Sequence, residues 1–191
     1  MQLPSRRYEE IKRTVVNVLQ ITGFSRYPLD CFALCKAAGI RIHQYSESPK
    51  DIESFLHLSE DAFCCMKQEG NSTIWEIWYN EHCAPKRIRF SIMHELGHIC
   101  LDHTNHSNLA EIEANFFATY ILAPLPLINK IGLKSANEVS SNFSISEECA
   151  GYVMTSYDNW INYGGLDYKD YEEKLLSQIN FVGKHDLRNL R

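Results

Sequence analysis

The chain has 191 residues, 45% hydrophobic and 23% charged, with a formal net charge of −5. That composition suits one globular domain, spanning 1–191, with a real hydrophobic core. The acidic balance argues against a general nucleic-acid binder, whose phosphate-facing surface is normally basic.

The N-terminal residues predict a helix over Tyr8–Thr22, with Ile11, Val15, Val18 and Leu19 at helical spacing and Gly23 as its stop. Charged and polar residues at Glu9, Glu10, Lys12, Arg13 and Asn17 break the stretch, so it does not read as a signal peptide. No run approaches the ~20 apolar residues of a membrane span, and the expected location is the cytoplasm. Pro28 and Asp30 open a second predicted helix, Asp30–Ala38, closed by Gly39. Ile40–His43 reads as a short strand and 46–53 as a polar loop. Ala62–Lys67 and Ser72–Tyr79 read as strands around a turn at Gln68–Asn71, the second one strongly alternating.

Lys86–Leu101 is the clearest helix, with Ile88, Ile92, Leu96 and Ile99 along one side. Ser107 or Asn108 is placed to cap a further helix running to Leu122, ended by Ala123-Pro124-Leu125-Pro126. Two or three short helices follow over 127–160, one capped by Ser144 or Ser146. Gly164-Gly165 breaks the chain before a helix-like stretch at Tyr168–Ile179, and 165–191 reads as a C-terminal extension, partly flexible. The expected fold is one α+β domain, mostly helical, with a small β-sheet. The seven cysteines are odd in number and form no disulfide pattern, as in a reducing compartment. Cys31 and Cys35 share a helical face and read as packing residues.

The decisive segment is His94-Glu95-Leu96-Gly97-His98. On a helix, residues four apart stand one turn above each other. Both imidazoles can therefore reach one Zn²⁺ at about 2.0–2.1 Å. Glu95, beside the first ligand, can take a proton from water and return it to a leaving amine. The bare pattern arises by chance in well under about 1% of chains this long, and here it falls inside an apolar helix. A catalytic zinc site needs a third protein ligand. Glu111 is the better candidate, because it shares a face with the small or polar Ala114, Asn115 and Ala118. Glu113 comes next, on a face with Phe116, Phe117 and Tyr120. Asn115 is placed to hydrogen-bond a ligand. His103 lies just past the metal helix and is a candidate to contact the site or donate a proton, the alternative being a surface or loop histidine. His106 shares that place. His43, His57, His82 and His185 show no partner pattern. Tyr79, ending the strand before the metal helix, offers a hydroxyl to a developing oxyanion.

The run Arg89-Phe90-Ser91-Ile92-Met93-His94-Glu95-Leu96-Gly97-His98, followed by Glu111-x-x-Ala114-Asn115-x-Phe117-Ala118 and Leu122-Ala123-Pro124, resembles the ImmA/IrrE family of metallopeptidases. The likeness is specific over 74–124 and looser at the N-terminal helices and at Phe143–Trp160. It implies a gluzincin-like, zincin-type α+β domain with a small β-sheet over the metal-binding helix, one zinc held by His94, His98 and Glu111, and Glu95 as base. It also implies a protein substrate, a helix-turn-helix transcriptional repressor often encoded nearby on a mobile genetic element or in a stress-response locus. The family's usual Met before the proline is Ala123 here. With the metal motif already at residue 94, no room for a fused DNA-binding domain is evident.

Two other readings compete. A catalytically silent zinc-binding sensor would use the same ligands without turnover. A DNA-binding regulator would need Phe143–Trp160 as a helix-turn-helix, but Glu147, Glu148 and Asp158 there would repel phosphate.

Overall fold

The computed structural model describes residues 3–48, 52–105 and 107–181. His106 and His185 lie outside them, as do 182–191 of the expected C-terminal extension.

Helix α1, Ser5–Thr22, begins one turn earlier than its periodicity suggests. It buries Ile11, Val15, Val16 and Leu19 and ends at Gly23 in the left-handed conformation that glycine adopts without penalty. Strand β1, Arg26–Tyr27, leads to α2, Cys31–Ala37, whose N-cap is Asp30: its carboxylate accepts from the Ala33 amide. Cys31 and Cys35 are both buried there. Strand β2, Arg41–Gln44, follows.

Short elements border the stretch expected as a loop. Tyr45–Glu47 forms a 3₁₀ turn and Ile52–Leu56 a short helix, α3. Aromatic contacts supply the reason: Phe55 packs on Tyr45 at 5.4 Å and on Trp78 at 5.2 Å between ring centroids.

Strands β3, Ala62–Glu69, and β4, Ser72–Tyr79, form an antiparallel hairpin, with β2 parallel to β4 on its other side. The order β2-β4-β3 leaves β3 as an outer strand. Beneath β3 and β4 runs α4, Pro85–Cys100, which buries Ile92, Met93 and Leu96 completely. Removing such a side chain from water contributes about 1.5–3 kcal/mol.

Helix α5, Asn108–Leu122, starts at Ser107, whose hydroxyl accepts from the Ala110 amide. It packs along α4 at very short range. A Cβ added to Gly97 would sit 3.2 Å from the Ala114 Cα and 3.2 Å from the Phe117 Cβ. Helices α6 (Leu125–Ile131), α7 (Ala136–Phe143) and α8 (Glu147–Asn162) complete the second half, with Ser146 capping α8 and Ser144 ending α7. Arg89, projecting from α4, donates to the carbonyls of Leu29, Phe143 and Ser144 and so ties α7's end to the metal-motif helix.

Helix α9, Asp170–Gln178, falls within the expected extension but packs against α1 and α6; β5, Asn180–Phe181, pairs with β1. Glu9 of α1 accepts from Lys169 and from the Tyr171 hydroxyl, each at 2.6 Å, and from Lys12 at 3.0 Å. Burial alone would raise the Glu9 carboxyl, but these donors hold it down to about 2.

Gly97→Val forces branched carbons into backbone and ring and is expected to lower stability by about 1–3 kcal/mol in urea melts. Gly151→Ala in α8 meets nothing within 4 Å and is expected to add about 0.5–1 kcal/mol through helix propensity. A further prediction concerns pH. The folded pKa of Glu9 lies below its ordinary value of 4.5, so its stabilisation is fully present above that value and is lost as pH falls toward about 2. Glu9→Gln is expected to cost about 1 kcal/mol at pH 7, with melting curves of variant and parent converging near the acid end.

Candidate metal centre

Three side chains from two helices converge on one point. His94 and His98, one turn apart on α4, bring their Nε2 atoms to 3.0 Å. Glu111, in the first turn of α5, places Oε2 3.3 Å from His94 Nε2 and Oε1 3.5 Å from His98 Nε2. One ligand atom from each of the three lies within 4.8 Å of the others. The face expected for Glu111 is the one the fold uses, because Ala114 and Ala118 allow α5 to lie close on α4.

The donor chemistry fits a divalent cation. The His94 Nδ1 lies 2.9 Å from the Asn115 Oδ1. That oxygen only accepts, so the Nδ1 carries the proton and the Nε2 presents a lone pair to the cluster. Burial lowers the His94 imidazole below its ordinary range, against the pull of Glu111. Two imidazole nitrogens and a carboxylate turned toward each other are the set that zinc and similar cations bind.

Beside the cluster opens a cavity of about 570 Å³, lined by Leu58, Phe63, Cys64, Phe90, His94, Glu95, His98, Glu111 and Asn115 among others. Glu95 is buried in its wall. Burial pushes its carboxyl up to about 7, against the opposing pull of the neighbouring Cys64. Burial and the Glu95 charge in turn push the Cys64 thiol well up, so it remains a protonated donor.

The remaining sequence candidates separate. His103 is at the site's margin: its Nδ1 lies 3.0 Å from the His98 Nδ1 and its Nε2 3.0 Å from the Glu113 Oε2. Glu113 is not placed as an alternative third ligand. It points away from the cluster, and Arg7 of α1 grips both its oxygens at 2.8 and 2.5 Å. The reason is helical geometry, since residues two apart on a helix project to nearly opposite sides. Tyr79 is likewise not brought to the cavity. It is buried on the central strand, its hydroxyl accepting from Gln44 Nε2 at 3.2 Å and its ring packed edge-on to Phe32. His43 stacks on Trp78 across the sheet.

Sequence reasoning missed three contributors. Cys64 reaches Glu95 only through the strand register, and nothing local to Cys64 signals it. Asp61, at the cavity's edge, accepts two bonds from Arg87 and so fastens the start of β3 to α4. Arg7 meets Glu113 across 106 positions of sequence.

A helix-borne histidine pair, a carboxylate from the neighbouring helix and a buried glutamate on a shared cavity define a metallopeptidase-type centre. Residues 35–155 match the family described as the IrrE N-terminal-like domain, peptidase M78. The match covers more than half of the chain, and the chain belongs to this family, a metallopeptidase of the IrrE/ImmA type. No curated protein matches the chain in a sequence search.

Protein reconstituted with zinc is expected to retain about one ion per chain by elemental analysis. The His94→Ala, His98→Ala double variant is expected to retain none.

Proposed function

We propose that this protein is a zinc-dependent endopeptidase that cleaves a helix-turn-helix transcriptional repressor at a specific site and so derepresses genes. The observation that carries the reading is the opening of His94, His98, Glu111 and the buried Glu95 onto one cavity. Membership of the IrrE-type family and the resemblance to ImmA/IrrE peptidases support the substrate class.

In this reading His94, His98 and Glu111 hold the ion. Bound there, zinc supplies the Lewis acidity that polarises a scissile carbonyl and acidifies water. Glu95 accepts the proton of the attacking water and returns it to the leaving amine. Its burial suits that task, because a carboxyl raised toward neutrality both takes and gives a proton readily. Cys64, beside Glu95 in the cavity wall, opposes that rise. The outer strand β3 runs along the cavity, where an extended peptide can lie beside it as a further strand. The exposed Leu58 and the ring of Phe90 give the cavity an apolar rim. The partner is a protein in the cytoplasm, and the enzyme itself contacts neither nucleic acid nor membrane.

The test pairs the purified protein, loaded with zinc, with helix-turn-helix repressors from the same genome, beginning with any encoded close to its gene. New termini by mass spectrometry are expected with the parent enzyme. Glu95→Gln is expected to keep its zinc while cleavage falls by about 10²–10⁴-fold. Derepression in cells that survives Glu95→Gln would instead establish the silent sensor, in which metal binding is sufficient.

A further inference from the structure

Both histidines of the cluster have their far nitrogen occupied, but by different means. His94 meets the amide oxygen of Asn115 directly. His98 meets another imidazole, and an imidazole nitrogen can donate or accept. The next contacts along the line remove that ambiguity. Glu113 is a carboxylate held by two bonds from Arg7 and offers only acceptors. The His103 Nε2, 3.0 Å from Glu113, must therefore carry the proton. In a neutral ring that leaves a lone pair on the His103 Nδ1, which faces the His98 Nδ1 at 3.0 Å. The His98 Nδ1 then donates, and its Nε2 is left with a lone pair toward His94 and Glu111.

The backbone fixes the same arrangement. Helix α4 ends in a turn in which the Asp102 amide donates to the Ile99 carbonyl and the His103 amide to the His98 carbonyl. This is a Schellman turn, with Asp102 at φ 55° where glycine is usual. It folds His103 back beneath the residue whose ring it touches. His103 thus holds His98 by main chain and side chain at once.

We propose that Arg7, Glu113 and His103 act in series as positioning residues that set the tautomer and orientation of His98 for metal binding. Arg7 lies outside 35–155, so the N-terminal helix belongs to the working centre. The proposal rests on the zinc reading above.

Zinc dissociation constants measured by competition with a chromophoric chelator test it, with thermal melts of the metal-free proteins as the folding control. His103→Phe and Glu113→Ala are each expected to weaken zinc by about 10–100-fold, with Arg7→Ala in the same direction and smaller. Glu113→Gln keeps an acceptor for the His103 Nε2 proton and is expected to recover most of the loss. The His103→Phe, Glu113→Ala double variant is expected to bind no more weakly than His103→Phe alone, because Glu113 acts only through His103. Unchanged affinity in either single variant, equal losses in Glu113→Ala and Glu113→Gln, or losses that multiply in the double variant would each overturn the series. If His103→Phe does not fold, Arg7→Ala and the Glu113 pair decide. A parent protein that binds no zinc sinks the metal reading and this inference with it. A parent that binds zinc beside variants of equal affinity sinks this inference alone.

Discussion

The close passage of α5 over α4 at Gly97 governs the geometry of the centre. His94 and His98 flank that glycine on one helix, and Glu111 and Asn115 flank Ala114 on the other. With no side chain at Gly97, the Ala114 backbone and the Phe117 ring come within contact of the α4 main chain. The carboxylate of Glu111 then reaches both imidazoles, and the amide of Asn115 reaches the outer nitrogen of His94. A Cβ at Gly97 would sit 3.2 Å from the Ala114 Cα and the Phe117 side chain, so the two helices would have to give by a few tenths of an ångström. Glycine within a helix costs about 1 kcal/mol relative to alanine. Here that cost is offset by the packing of Ile92, Met93, Leu96, Phe117 and Ala118, all completely buried around the crossing.

Around this contact the polar groups are arranged by what each can donate or accept. Glu111 and Glu113 are two residues apart and chemically identical, yet they have opposite surroundings. Glu111 faces the histidines and the cavity. Glu113 faces Arg7 and His103, which hold its carboxyl below the usual range against the effect of burial, with Arg7 the larger influence. Glu95 is the opposite case, a carboxyl raised because burial outweighs the pull of Cys64. Three glutamates on two adjacent helices thus occupy three electrostatic settings, and the difference comes from neighbours rather than from local sequence.

That distinction also explains which parts of the protein were legible in the sequence. Helix limits and caps are local chemistry, so Asp30, Ser107 and Ser146 mark helix starts where their side chains do accept from the third following amide. The histidine pair was legible because its spacing is a helical property, and Glu111 because its face is lined by small residues. Strand order is not local. Tyr79 ends the strand nearest the metal helix in sequence, but β4 is central and β3 lies outermost, so Cys64 and Asp61 come to the cavity instead. The segment after β2 looked like a loop because its apolar residues are few, and the aromatic cluster that orders it draws Phe63 and Trp78 from the hairpin.

The N-terminal helix carries this reasoning furthest. It begins 30 positions before the matched segment and has no metal-binding residue pattern of its own. Its face toward α9 is clamped by Glu9, and its neighbouring residue Arg7 holds Glu113 on the other side. Both contacts are charged, partly buried and satisfied by several bonds, which makes them directional in a way that apolar packing is not. Rotation of α1 about its axis would break one clamp or the other, so α9 at the far side of the chain helps to fix Arg7. A ligand's orientation therefore depends on segments at both ends of the sequence, well outside the helices that supply the ligands.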